Sequence, residues 1–198
     1  MIDDEVAIER CLRGDREAFA ALVDRYKKPI HSLAFRMTGD AEEAKDLAQE
    51  TFLRAYRSLK TFRTGQKFSS WLYRIGANLC IDHLKKRGRA RLCFDDAEIG
   101  RIPDSRAGPE EDSLRREAIE RVQHAIDALP EKYRVLVVLA HQNGLSYEEI
   151  VRITNEPLTI VKNRLFRARR MLKEMLTEHC GQEGGARIEV RTGALAAG

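Results

Sequence analysis

Two stretches of this sequence gather side chains able to hold a polyanion. From Lys162 to Lys173 there are six basic residues and no acidic one. Lys and Arg at that density neutralise phosphates and can reach guanine edges, while Asn163 among them is suited to adenine. The second stretch, "FSSWLYRIGANLCIDHLKKRGRAR" (Phe68 to Arg91), opens on aromatic residues, holds the chain's single Trp and closes on Lys and Arg. Aromatic rings stack on unpaired bases, and cations beside them hold the backbone. The same pattern also suits a core helix running into a solvated basic loop. Trp71 taken alone fits partly buried packing better than it fits a base platform.

Other chemistries lack their residues. No HExxH, phosphate-binding P-loop or nucleophile elbow is present. The paired carboxylates, Asp95-Asp96 and Glu148-Glu149, read as linker and cap residues, so no enzymatic activity is expected. Cys11, Cys80, Cys93 and Cys180 form no CxxC pair and no Cys/His set with zinc spacing, which points to reduced thiols and no metal or cofactor. The longest apolar run is "VLVVLA" (Val135 to Ala140), far short of a membrane span. The opening "MIDDEVAIER" is acidic, unlike a secretory signal, so the cytoplasm is the expected compartment.

The net charge of +4 conceals a strong partition. Residues 61–92 carry eight basic and one acidic side chain, +7, and residues 93–120 carry four and nine, −5. Residues 121–198 return to +3. Two polyanion-binding regions separated by an acidic spacer are the simplest reading.

The elements that position these residues are helices throughout, since apolar residues recur at helical spacing nearly everywhere. A first helix is expected from about Asp4 to Arg13. A second covers "EAFAALVDRYKKPIHSLAFRMTG", with Pro29 marking a kink or break. Asp40 with Glu43 three residues on resembles a capping box and opens a third, Ala41 to about Leu59. The Phe68 stretch is the fourth. Between about Gly88 and Pro109 periodicity fails, and Gly, Pro and Asp mark a linker. A second helical block runs from about Ser113 to Met175, broken at Pro130, Asn143-Gly144 and Asn155-Glu156-Pro157. The Gly- and Ala-rich end is expected to be a loose tail. The fold class is all-α: two small helical domains joined by a flexible linker, with boundaries at 1–90, 91–115, 116–178 and a disordered 179–198.

In the second block, Ser146 with Glu149 caps one helix and a second begins near Pro157, the form of a helix-turn-helix. Val161, Leu165, Ala168 and Leu172 share one narrow stripe of that helix. The opposite face carries Asn163, Phe166, Arg167 and Arg170, flanked by Lys162 and Lys173. This is the pattern of a recognition helix in a DNA major groove, with outward Phe166 suited to a thymine methyl. In the third helix, Leu53 lies amid Asp46, Gln49, Glu50 and Arg57 with Tyr56 at the margin. That arrangement is either a scattered surface apolar residue or a small docking patch with a polar rim.

Taken together, "GDREAFAALVDRY", "AEEAKDLAQETFLRAYRSLKTF", "KFSSWLYRIGANLCIDHLKKR", "LPEKYRVLVVL" and "GLSYEEI…VKNRLFRARRMLKEML" resemble the extracytoplasmic-function (ECF) sigma factors of bacterial RNA polymerase, in family order. The resemblance is to members of the sigma-W and sigma-E type. It implies sigma region 2 in residues 1–90 and region 4 in 116–178. It implies partners in core RNA polymerase (the clamp helices of the largest subunit and the region near the upstream DNA), in promoter DNA, and in an anti-sigma factor anchored at the membrane. The polymerase-binding residues it implies are Asp46, Leu47, Gln49, Glu50, Leu53 and Tyr56. For the −10 element and melting they are Phe62, Arg63, Lys67, Trp71, Arg74, Asn78, Lys85, Lys86 and Arg87, the loop "FRTGQKF" capturing a flipped base. For the −35 element they are Lys162, Asn163, Arg164, Phe166, Arg167 and Arg170. The chain departs from the family at Val151, where Ala is usual, and at Thr159 and Ile160, where Gly and Thr are usual. Both departures bear on the −35 base preference. A stand-alone helix-turn-helix regulator is the rival, and it leaves the aromatic-basic helix and the Leu53 face unexplained.

Overall fold

The computed structural model describes residues 3–63, 65–93, 110–142 and 144–180, and among these no strand occurs. Eight helices follow one another: α1 (Asp4–Leu12), α2 (Arg16–Thr38), α3 (Ala41–Ser58), α4 (Phe68–Cys93), α5 (Glu110–Ala128), α6 (Glu131–Val137), α7 (Tyr147–Thr154) and α8 (Leu158–Cys180). The all-helical class expected from periodicity is what the chain adopts.

Local chemistry sets the boundaries. Asp15 and Asp40 each accept two backbone N–H groups at the starts of α2 and α3. Glu43, expected to complete a capping box at Asp40, instead turns to Arg87 of α4, at 3.0 Å. Gly39 ends α2 at φ +71°, the left-handed conformation glycine adopts freely. Ser146 and Glu149 form the reciprocal capping box at α7, and Asn155 ends it at φ 57°. Pro29 marks no break: α2 continues through it for 23 residues. The ring removes one rung of the helix ladder, which burial of Ile30, Leu33 and Met37 outweighs. After α6 the helix widens into a π turn, Val138–Gln142, before the capped start of α7. The linker and tail expected at 94–109 and 181–198 lie outside the described residues.

Helices α1 to α4 pack as one bundle. Leu33 and Met37 of α2, Ala44 and Ala55 of α3, and Leu72 of α4 are fully buried at its centre. Gly76 lets α4 approach closely: a Cβ there would lie 3.4 Å from both Leu33 and Thr51. Helices α5 to α8 bury Leu129, Leu136, Leu139, Ile150, Ile153 and Leu165 in the same way. The two groups are not separate in space, because one continuous apolar cluster runs through both.

The joint is Arg134, midway along α6 and only 9% exposed. One terminal nitrogen donates to the Met37 carbonyl of α2 at 2.8 Å. The other donates to the Asp127 and Leu129 carbonyls at the end of α5. Burial pushes the guanidinium pKa down, opposed by the charges of Asp127 and Glu131. Arg134→Met is expected to destabilise the chain by about 3–5 kcal/mol, since three buried acceptors lose a charged donor. Urea unfolding measures it, with Arg134→Lys expected between the two.

Candidate nucleic-acid and protein interfaces

Helix α3 presents an apolar spot with a polar border. Leu53 and Tyr56 are 50% and 43% exposed, and Asp46 and Gln49 are exposed beside them. Glu50 is half-buried and bonded to Arg54 at 2.7 Å. The Tyr56 ring sits edge-on to Phe19, centroids 5.0 Å apart, so the spot is braced from below. Leu47, expected in this face, is instead buried with Phe52, Ala48 and Thr51. It positions the helix and offers no surface, because its place on the wheel belongs to the core stripe.

The segment from Phe62 to Arg87 divides by burial. Arg63, Lys67, Asn78, Lys85, Lys86 and Arg87 are exposed, and Arg74 is half-buried. Trp71 is not an open stacking platform. It is 7% exposed and packs against Phe62 and Phe68, with centroids at 5.4 and 5.7 Å. The cause is burial of a large ring among neighbours, so the aromatic end of the stretch belongs to the core. Phe62 is the half-buried outer member of this cluster. Arg87 is tied to Glu43, and His83 Nε2 lies 3.1 Å from the same carboxylate but out of line for a hydrogen bond. Asn78 and Lys85 thus line one cleft, Arg87 turns away from it to Glu43 of α3, and Trp71 packs inward.

Helix α8 shows the segregation read from its sequence. Val161, Leu165 and Ala168 are fully buried, and Leu172 is half-buried. Lys162, Asn163, Arg167 and Arg170 are exposed, and Phe166 is the most open large apolar side chain described, at 68%. Water offers that ring nothing, so a partner surface is its natural environment. Arg164 departs from the expected set. It is half-buried and bound to both Glu156 oxygens, one at 2.7 Å, across the helix-turn-helix turn. This charge-assisted contact, one guanidinium nitrogen donating to both carboxylate oxygens, ties α8 to the turn before it. Glu156 stands within the turn, eight residues before Arg164, and helix spacing alone does not pair them.

Two contacts lie beyond the reach of sequence spacing: Arg134 with the carbonyls at the ends of α2 and α5, and Lys67 with Glu149 of α7 at 3.0 Å. That contact, with the Ser146 amide, holds the Glu149 carboxyl below the usual range. Among the described residues no group of three or more His, Cys, Asp or Glu could hold a metal. Burial pushes the Cys80 thiol up to about 12, which leaves it inert. No described helix is long and apolar enough to cross a membrane.

Comparison with known proteins follows the same two groups of helices. The Sigma-70 region 2 model matches residues 22–90, and the Sigma-70, region 4 model matches residues 119–172. The chain is 38% identical to the ECF RNA polymerase sigma factor SigW of Bacillus subtilis, over 86% of its length and 95% of the relative. It is 39% identical to the RNA polymerase sigma-H factor of Pseudomonas aeruginosa, over 87% of its length and 93% of the relative. Its fold resembles that of sigma factor RpoE from Bartonella quintana, solved with the anti-sigma factor NepR. The TM-score is 0.62 at 24% identity, covering 80% of this chain and 96% of the other.

The burial pattern separates two aromatic substitutions. Trp71→Ala is expected to destabilise the fold by about 3–5 kcal/mol. Phe166→Ala is expected to shift stability by less than about 0.5 kcal/mol while weakening duplex DNA binding. Thermal unfolding and a fluorescence binding titration on both variants measure this.

Proposed function

This chain belongs to the ECF sigma factors of RNA polymerase, and from that premise we propose how its parts divide the work of promoter recognition. Residues 1–90 act as the polymerase-docking and −10 unit, and residues 116–178 as the −35 unit, with 91–115 setting the spacing between them. The exposed Leu53 and Tyr56, ringed by Asp46, Gln49 and Glu50, form the contact with the clamp helices of the largest polymerase subunit. An apolar centre with a polar rim is the usual anatomy of such a patch. The second unit lies nearer the upstream DNA.

The observation that carries the reading is the outer face of α8, where Phe166 stands open among Lys162, Asn163, Arg167 and Arg170. The cations supply phosphate affinity, Asn163 and Arg167 read base edges, and Phe166 meets a thymine methyl. Arg164 supports that face through Glu156. At the −10 element, Arg63, Lys67, Asn78, Lys85 and Lys86 hold the opened strand, Arg87 joining them where Glu43 releases it. The loop before α4 takes a flipped base beside Phe62, and Trp71 braces Phe62 from within. Stacking contributes about 1–3 kcal/mol per base, comparable with the few kcal/mol needed to unstack one, so binding offsets local opening. The chain performs no bond chemistry in this scheme, and nucleotide addition belongs to the polymerase.

The protein works in the cytoplasm, held in check by an anti-sigma factor that covers these same exposed faces and is anchored at the membrane. Sigma factor RpoE of Bartonella quintana, similar in fold, is solved in complex with the anti-sigma factor NepR.

Run-off transcription with core polymerase tests the central reading: a promoter-dependent product appears only when the protein is added, and its absence overturns the proposal. Leu53→Asp is expected to weaken polymerase binding about tenfold, and Arg167→Ala to weaken −35 DNA binding about tenfold, each without loss of fold. Affinity capture from the native host is expected to recover an inhibitor under non-inducing conditions. Recovery of only free or polymerase-bound protein in every condition counts against that control.

A further inference from the structure

Helix α1 lies outside the segment that the region 2 model matches, which starts at residue 22. It is nonetheless built into the bundle. Ala7 and Ile8 are fully buried, and the helix packs on α2 and on the short turn Leu59–Thr61 that follows α3. Its first turn is tied down by polar contacts: Asp4 accepts from the Arg25 guanidinium and from the Tyr26 hydroxyl, both of α2. The Tyr26 ring centroid lies 5.6 Å from that of Phe68 at the start of α4. Phe68 in turn lies 5.8 Å from Phe62 and 5.7 Å from Trp71. Between α1 and the segment ahead of α4 is a pocket of about 260 Å³. Asp4, Glu5 and Ile8 line one side, and Phe62, Gln66 and Phe68 line the other.

We propose that α1 belongs to the −10 site: its start walls the pocket that receives the flipped base, and Asp4 is a positioning residue that holds the aromatic floor of that pocket through Tyr26. This rests on the reading above, in which the loop before α4 takes a flipped base beside Phe62, and adds a wall and a residue to it.

The pocket falls below the roughly 300–1,000 Å³ of sites for drug-sized ligands, a size that suits one flat ring. Phe62 is half-buried and lines it, whereas Phe68 and Trp71 behind are buried, so a base stacks on Phe62. Gln66 is exposed beside it and can both donate to and accept from a base edge. Rings packed edge to face in a dense interior do not tilt independently, so moving Tyr26 moves Phe68 and then Phe62. Burial first, and then the hydrogen bond to Asp4, push the Tyr26 hydroxyl above its usual range, so it stays a donor at working pH. The Arg25 guanidinium matches the Asp4 charge, and the wall therefore adds no unpaired charge there. Glu5 is exposed at the rim, where its charge repels a phosphate and admits the base ahead of the backbone.

The test is a thermodynamic cycle between protein and base. Holoenzyme made from the full chain and core polymerase is titrated with a fluorescent single strand carrying the non-template −10 sequence of a mapped start site. Matched strands carry an abasic site at one position at a time. In the wild type, one abasic position is expected to weaken binding about tenfold, within the range that stacking on an aromatic ring contributes. Asp4→Asn keeps the size of the side chain and loses its charge. It is expected to weaken the intact strand about fivefold and to cut the abasic penalty at that position to about twofold, the mark of coupling between residue and base. Penalties at other positions and binding of −35 duplex stay unchanged. Tyr26→Phe keeps the ring, loses the hydroxyl and is expected to give the same pattern, with no further loss when the two are combined. Where circular dichroism shows Asp4→Asn unfolded, Tyr26→Phe alone decides. Variants that lower the unfolding midpoint yet keep the tenfold penalty, or that weaken every strand alike, overturn the role of α1. A wild type in which no abasic position costs affinity instead removes the flipped-base reading itself, and the proposal with it.

Discussion

A guanidinium buried among carbonyls is the constraint around which this molecule is arranged. Three acceptors receive Arg134, and two of them belong to the end of α5 and one to the end of α2. Helix C-termini leave carbonyls unpaired and carry partial negative charge, so a cation there is doubly favoured. Taking a charge out of water is costly unless such acceptors are in place. Its burial therefore fixes the ends of α2 and α5 against α6 at once, and the angle between α5 and α6 follows from that geometry. The neighbouring Asp127 carboxylate, 4.0 Å away, adds attraction without displacing the carbonyls.

Helix α4 is the second organising element, and it does two jobs on two sides. Leu72, Leu79 and Leu84 lock it into the bundle, and Gly76 removes the bulk that would hold it off α2 and α3. The opposite side keeps Asn78, Asp82, Lys85 and Lys86 in water. A rigid, closely packed inner face is what allows the outer polar residues to hold fixed spacing, since interiors at this density deform little. Helix α8 repeats the scheme with Val161, Leu165 and Ala168 inside.

Periodicity and caps made much of this readable in advance. The helices, the Asp40 and Ser146 starts, the turn at Asn155 and the two-faced character of α8 all follow from residues within a few positions of one another. What periodicity could not supply were contacts between distant parts of the chain. Pro29 looked like a break because the cost of a proline is local, whereas the burial that overrides it comes from α3 and α4. Trp71 could stack on bases or on Phe62 and Phe68, and only the meeting of loop and helix decides. Arg164 and Arg87 look alike as cations in a basic run, yet each has a carboxylate partner supplied by another element. Arg134 follows Glu131 and Lys132 and opens directly onto the apolar run Val135 to Ala140; a cation drawn into a buried run demands acceptors, but its position says nothing of which.

The π turn at Val138–Gln142 has a consequence for how this architecture can change. A widened turn accommodates one residue beyond the regular count, and Val138 and Leu139 within it are fully buried. Were the same number of residues wound as ordinary α-helix, everything after the turn would be rotated by about 100° relative to Arg134, and Leu145 and the α7–α8 pair would swing out of phase with the apolar cluster they now complete. Substitutions along the exposed side of α8 alter one side chain at a time, whereas an added residue in this turn re-aims the whole helix. Sequence drift in this molecule is thus free at its outer side chains and tightly metered in its residue count.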